Sequence, residues 1–192
     1  MELTPRFTDA LVYAAELHAG QKRKGTEVPY LSHLLRVAGM ALEYGADEDQ
    51  AIAALLHDAV EDQGGAPTRE AIRQRFGQRV AAIVDGCTDT DRQPKPPWRQ
   101  RKEDYLERLT SATPSVGLVC ACDKLDNARW TLAGYRLHGE AFWGRFHGGR
   151  EGTLWYLRSV AEVLRRSAPG PLAEELDRAV SELERLVAKN PT

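Results

Sequence analysis

The stretch AIAALLHDAVED runs six apolar residues, Ala51 to Leu56, directly into His57, Asp58, Glu61 and Asp62. Residues four apart on a helix share a face, so this spacing predicts His57 over Glu61 and Asp58 over Asp62. Two other apolar helical stretches carry the same interruption. His33 stands among Leu31, Leu34, Leu35 and Val37, and Asp123 precedes Asn127 by four with Lys124 beside it. Burying several unpaired charges is costly, and a divalent cation offsets that cost. His33, His57, Asp58 and Asp123 offer a mixed nitrogen and oxygen donor set suited to Mn²⁺, Fe²⁺, Co²⁺ or Zn²⁺. Its charge balance leaves the cation able to hold water and an anionic substrate. Carboxylates at Glu61 and Asp62 suit general acid–base work beside it. The basic loop Lys22-Arg23-Lys24 suits phosphate, with arginine able to bind bidentately or stack on a base.

The elements that position these residues read as helices. TDALVYAAELHAG has helical apolar spacing and Gly20 as a stop, and Pro29 suits the first turn of PYLSHLLRVAGMALEYG. DEDQAIAALLHDAV reads as one helix with acids in its first turn. PTREAIRQRFG and QRVAAIVDG are shorter helices closed by glycine. WRQRKEDYLERL, PSVGLVCACDKLDNARWTLAGY, a short EAFWGRFHGG and EGTLWYLRSVAEVLRR follow. Over 170–188, Leu172, Leu176, Val180, Leu183 and Val187 form one packing stripe. No alternating strand pattern, repeat or linker interrupts the series. The expected fold is all-α, a compact single domain over 1–192 with roughly eight to ten helices.

Composition narrows the function classes. A net charge of -2 gives no global attraction to nucleic acid or anionic membrane, so any anion site must be local. No basic-then-apolar leader opens the chain, and no apolar run approaches the ~20 residues a bilayer needs. Cys87, Cys120 and Cys122 lack zinc or redox spacing and read as reduced, buried thiols of a cytoplasmic protein.

The ordered residues His33, His57-Asp58 and Asp123 resemble the H…HD…D signature of the HD metal-dependent phosphohydrolase superfamily. QKRKGTEVPYLSH, AALLHDAVED, FGQRVAAIVDGCTD, WRQRKEDYLERL and CDKLDNAR further resemble, in order, the hydrolase domain of RelA/SpoT-type alarmone enzymes. The similarity is greatest to their small, free-standing relatives and spans about residues 7–165. It implies an HD-type helical bundle in which His33, His57, Asp58 and Asp123 bind one Mn²⁺. Glu61 and Asp62 would orient and deprotonate the attacking water or assist the leaving group. Arg23 and Lys24 would lie against the base and phosphates, with Lys124 and Asn127 facing the site. The family removes the 3′-pyrophosphate of (p)ppGpp, and a related activity removes the 2′-phosphate of NADPH.

Three functions follow as expectations: alarmone hydrolysis, hydrolysis of another nucleotide such as NADPH or a nucleoside monophosphate, and nucleotide sensing without turnover. The complete set of ligands and carboxylates favours turnover. The chain has no room for a synthetase half, so hydrolysis alone is expected. The expected partner is a small nucleotide, with no nucleic acid or membrane. Arg99, Arg101 and Lys102 read as a polar helix face outside the site, although Lys102 is within reach of substrate. His18, His138 and His147 read as structural or surface groups. Trp98, Trp130, Trp143, Trp155 and Tyr156 read as core, with Trp155 or Tyr156 the residue to close a pocket.

Overall fold

Every regular element of the computed structural model, which describes residues 2–92 and 94–189, is helical. Ten α-helices and one 3₁₀ segment, Gly139–Arg145, are found among the described residues. The first half is a bundle around α3, Glu48–Leu56. Asp47 and Gln50 close its N-terminus as a reciprocal capping box, satisfying amide groups that the helix leaves unpaired. Ala51 to Leu56 are all fully buried, because α1 (Pro5–Leu17), α2 (Leu31–Glu43) and α6 (Gln78–Cys87) surround them.

The periodic pattern predicts one helix over 47–60, but the chain breaks at His57-Asp58 and resumes as α4, Ala59–Asp62. The reason is local. His57 Nδ1 donates to the Ala54 carbonyl at 2.8 Å, while the Asp58 side chain turns to the Tyr30 hydroxyl at 2.6 Å. Pro29 likewise lies outside α2. It pairs with Lys22 in an isolated antiparallel bridge. Arg23 N donates to Val28 O at 2.8 Å and Tyr30 N to Gln21 O at 2.9 Å. The basic loop is thereby a pinned hairpin-like turn. Gly25 has φ +69°, and a side chain there would also meet Arg145 Cδ at 2.8 Å.

α8 (Pro114–His138) is the longest helix and runs through the middle of the molecule, against α2, α3, α6, α9 (Gly149–Ser167) and α10 (Pro171–Lys189). The stripe of α10, Leu172 through Val187, is buried as its spacing predicts. Arg158 on α9 ties it down further, donating to Asp177, Ser181 and Glu184. α5 (Ala66–Phe76) packs on α6, and α7 (Trp98–Thr110) on α9. The short helix expected at EAFWGRFHGG is the 3₁₀ segment, which ends at Arg145. The three cysteines are buried and unbridged. Among the described residues, no helix is long and apolar enough to cross a membrane.

Candidate active site

The first turn of α2, the α3–α4 break and the middle of α8 converge on one point. The His33 and His57 rings meet edge to face, 5.2 Å between centroids. Ligand atoms of His33, His57 and Asp58 all lie within 4.8 Å of one another. Asp58 Oδ2 stands 3.0 Å from His57 Nε2 and 3.6 Å from His33 Nε2. Asp123 Oδ1 approaches the same two nitrogens at 3.7 and 3.3 Å.

The opposite ring nitrogens decide what these approaches mean. His33 Nδ1 is 2.6 Å from Asp126 Oδ2, and His57 Nδ1 is 2.8 Å from a backbone carbonyl. Each Nδ1 therefore carries the proton and donates it, turning the Nε2 lone pair toward the carboxylates. Both Nε2 atoms are buried without a hydrogen-bond partner. Four electron-rich groups facing one another call for positive charge between them. The electrostatics say the same. Burial pushes both imidazoles toward neutrality, but Asp123, Asp126 and Asp58 lift His33 to about 9. Burial opposes the charged His57 too, yet Asp58 and Asp123 raise it well above its usual value. A divalent cation meets the same demand, and the donor set fits one.

Asp123 also serves Lys124, which donates to Oδ2 at 2.5 Å, and Asn127, which donates to Oδ1 at 2.5 Å. Against the desolvation of burial, Lys124 and then the two imidazoles hold its carboxyl well below the usual range. Glu61 Oε1 lies 3.1 Å from Lys95 and 3.7 Å from Arg101. Asp62 accepts from Gln21 Nε2 at 2.8 Å. Its side chain is open to a cavity, yet the protein crowded around it, and then Asp58, raise its pKa to about 6.

That cavity, of about 450 Å³, is lined by Lys24, Lys102, Lys124, Trp98, Trp130 and Tyr156 among others. Lys24 has its ammonium lowered, first by burial and then by Lys102. Lys102, left outside the site by its sequence context, donates to Asp89 at 2.7 Å and faces the Tyr156 ring at 4.8 Å. Arg23 belongs to the cavity wall. Its guanidinium is 5% exposed, lies 4.6 Å from the Trp130 ring centroid and donates to Asn127 Oδ1 at 3.1 Å. Tyr156 lines the cavity, whereas Trp155 lies beneath Arg99 at 3.3 Å. His18 is a buried structural group stacked on Tyr30, and His147 lines the cavity. Asp126 and Tyr30, both outside the expected site, bond His33 and Asp58 respectively. For Asp126 a signal existed, since it stands three residues from Asp123 on one helix face.

Residues 10–152 match the HD domain family, and the chain belongs to that family. Membership implies divalent metal binding, in agreement with the donor set of His33, His57 and Asp58. The chain is 41% identical over 123 residues to a guanosine-3′,5′-bis(diphosphate) 3′-pyrophosphohydrolase of Aquifex aeolicus (strain VF5). That match covers 62% of this chain and only 17% of the larger relative. It is 38% identical over 129 residues to the Danio rerio guanosine-3′,5′-bis(diphosphate) 3′-pyrophosphohydrolase MESH1, covering 66% of this chain and 69% of that one. The solved structure of a metazoan ortholog of SpoT that hydrolyzes ppGpp superposes with a TM-score of 0.79 at 27% identity. The superposition covers 97% of this chain and 99% of that chain.

Proposed function

We propose that the protein is a metal-dependent phosphohydrolase that removes the 3′-pyrophosphate of guanosine 3′,5′-bis(diphosphate). The observation that carries the reading is the pair of buried, unpartnered Nε2 atoms facing Asp58 and Asp123 beside a lysine-lined cavity. The relatives' names supply the substrate. His33, His57, Asp58 and Asp123 would hold the cation, with Mn²⁺ our assignment. When bound, such a cation lowers the pKa of a water and neutralises phosphoryl charge.

The chain's own residues do the rest. Asp62, raised toward neutral pH, takes the proton of the attacking water, and Glu61 assists from the next position. The water oxygen attacks phosphorus, the bond to the ribose 3′-oxygen breaks, and that oxygen recovers a proton. Products are GDP and pyrophosphate. Lys24, Lys102 and Lys124 bring three ammonium groups to one cavity, as a substrate with two diphosphates requires. Arg23 and Asn127, bonded to each other, shape the wall beside Asp123. Residues 1–192 act as one unit in this reading, with α10 bracing α8, in a cytoplasmic protein.

The test is product identification with purified, Mn²⁺-loaded protein offered ppGpp, NADPH and nucleoside monophosphates in parallel. GDP and pyrophosphate from ppGpp, lost in His57→Ala, support the reading. Orthophosphate from another substrate, with ppGpp untouched, overturns the substrate while keeping the metal site.

A further inference from the structure

Asp126 is 4% exposed, yet it belongs to neither the donor set nor the cavity. Its carboxylate is gripped from three directions. Oδ2 stands 2.6 Å from His33 Nδ1, Arg36 donates to both oxygens at 2.5 and 3.2 Å, and Arg23 lies 3.7 Å away. Helix α8 thus holds His33 on both sides of its ring, with Asp123 3.3 Å from Nε2 and Asp126 on Nδ1. His57 differs, since its Nδ1 donates to the neutral carbonyl of Ala54.

We propose that Asp126 is a positioning residue of the metal centre. It fixes His33 in the Nδ1–H tautomer and holds the ring so that Nε2 faces Asp58 and Asp123. The inference rests on the metal-site half of the proposed function and is independent of the substrate. A carboxylate behind a ligating imidazole orients the ring and strengthens its donation, and losing such a partner lowers metal affinity. The alternative is a buried ion pair that merely joins α2 to α8 through Arg36. The two roles separate because Arg36 is half-exposed and holds Asp126 by its own bonds, so its removal leaves the bond between His33 Nδ1 and Asp126 in place.

The experiment is Mn²⁺ titration, by calorimetry and by the signal of free Mn²⁺, of wild type, Asp126→Asn, Asp126→Ala and Arg36→Gln. Asp126→Asn keeps an acceptor for Nδ1–H without charge and should weaken Mn²⁺ binding about 10-fold, and Asp126→Ala about 100-fold. Arg36→Gln, which leaves the His33 contact in place, should stay within about threefold of wild type. In Zn²⁺-loaded protein, the His33 Nδ1–H resonance should persist in Arg36→Gln and vanish in Asp126→Ala. Wild-type Mn²⁺ affinity and an intact resonance in folded Asp126→Ala would overturn the proposal. If that variant does not fold, wild-type Mn²⁺ affinity in Asp126→Asn overturns it. Failure of the wild-type protein to bind either metal would instead overturn the metal site itself, and this inference with it.

Discussion

Gly134 lies within α8, where ordinary helix propensity favours alanine by about 1 kcal/mol. The structure predicts the opposite sign. A Cβ at Gly134 would stand 2.2 Å from both Cε2 and Cζ of Phe142, against the roughly 3.5 Å that carbon atoms tolerate. The ring would have to retreat by more than 1 Å, by the difference of those distances. It has nowhere to go, being 1% exposed and hemmed in by Trp130 at 5.2 Å and Phe146 at 5.4 Å. Overpacking of this kind costs about 3 kcal/mol at the severe end, so Gly134→Ala should lose about 2 kcal/mol net. For a chain of this size that is a fall in Tm of roughly 4–8 °C. Gly39, also inside a helix, supplies the control. Nothing lies within 4 Å of its would-be Cβ, so Gly39→Ala should raise stability by up to about 1 kcal/mol. Urea denaturation of both variants gives the comparison. Because Trp130 and Phe146 line the cavity, Gly134→Ala should also raise KM. A Gly134→Ala protein at least as stable as wild type would refute the packing argument, and Phe142→Leu in the same background should recover part of the loss.

Chelator-treated protein should gain about 2.7 kcal/mol on addition of Mn²⁺ at 100 times its Kd, read as a rise in Tm. His57→Ala should abolish that rise. The acid limb of kcat/KM should fall as pH drops through about 6, because Asp62 works ionised and takes up a proton there. Glu61→Gln should keep that limb at reduced rate, whereas Asp62→Asn should flatten it, and an unchanged limb in Asp62→Asn would remove Asp62 from the role. Lys102→Ala should raise KM by about 10-fold, the loss of one charge-assisted phosphate contact. Arg73→Ala should leave KM unchanged within about twofold, since Arg73 is half-exposed, paired with Glu70 and outside the cavity.

The helices were readable because their apolar spacing is regular, and α10 is the clearest instance, with Leu172 to Val187 all inward. The break at His57 was not readable. A periodic pattern carries no sign that an imidazole will bond the carbonyl three residues back. The gathering of His33, His57, Asp58 and Asp123 was legible for an energetic reason, since charge interrupting an apolar helix demands a partner. Lys102 lines the cavity although Glu103 and Asp104 beside it give its sequence context the look of a surface helix. Its actual partner, Asp89, arrives from beyond the proline-rich loop. Trp98 and Trp130 pack against the core, as their type predicts, and also line the cavity. Side-chain type alone does not separate these two fates.

His33 and Asp126 touch across 93 residues of chain, and Gln21 reaches Asp62 across 41. The donor set spans residues 33 to 123 on three separate elements, so the centre exists only after α2, the α3–α4 break and α8 have docked. The unfolded chain can offer a cation isolated histidines and carboxylates but no cage. Metal capture must then come late in folding, after the slow closure of long loops. A cation that binds so late stabilises mainly by slowing unfolding, with little effect on the folding rate. The metal centre is in this sense a lock set after assembly, and its occupancy reports whether α2, the α3–α4 break and α8 have docked.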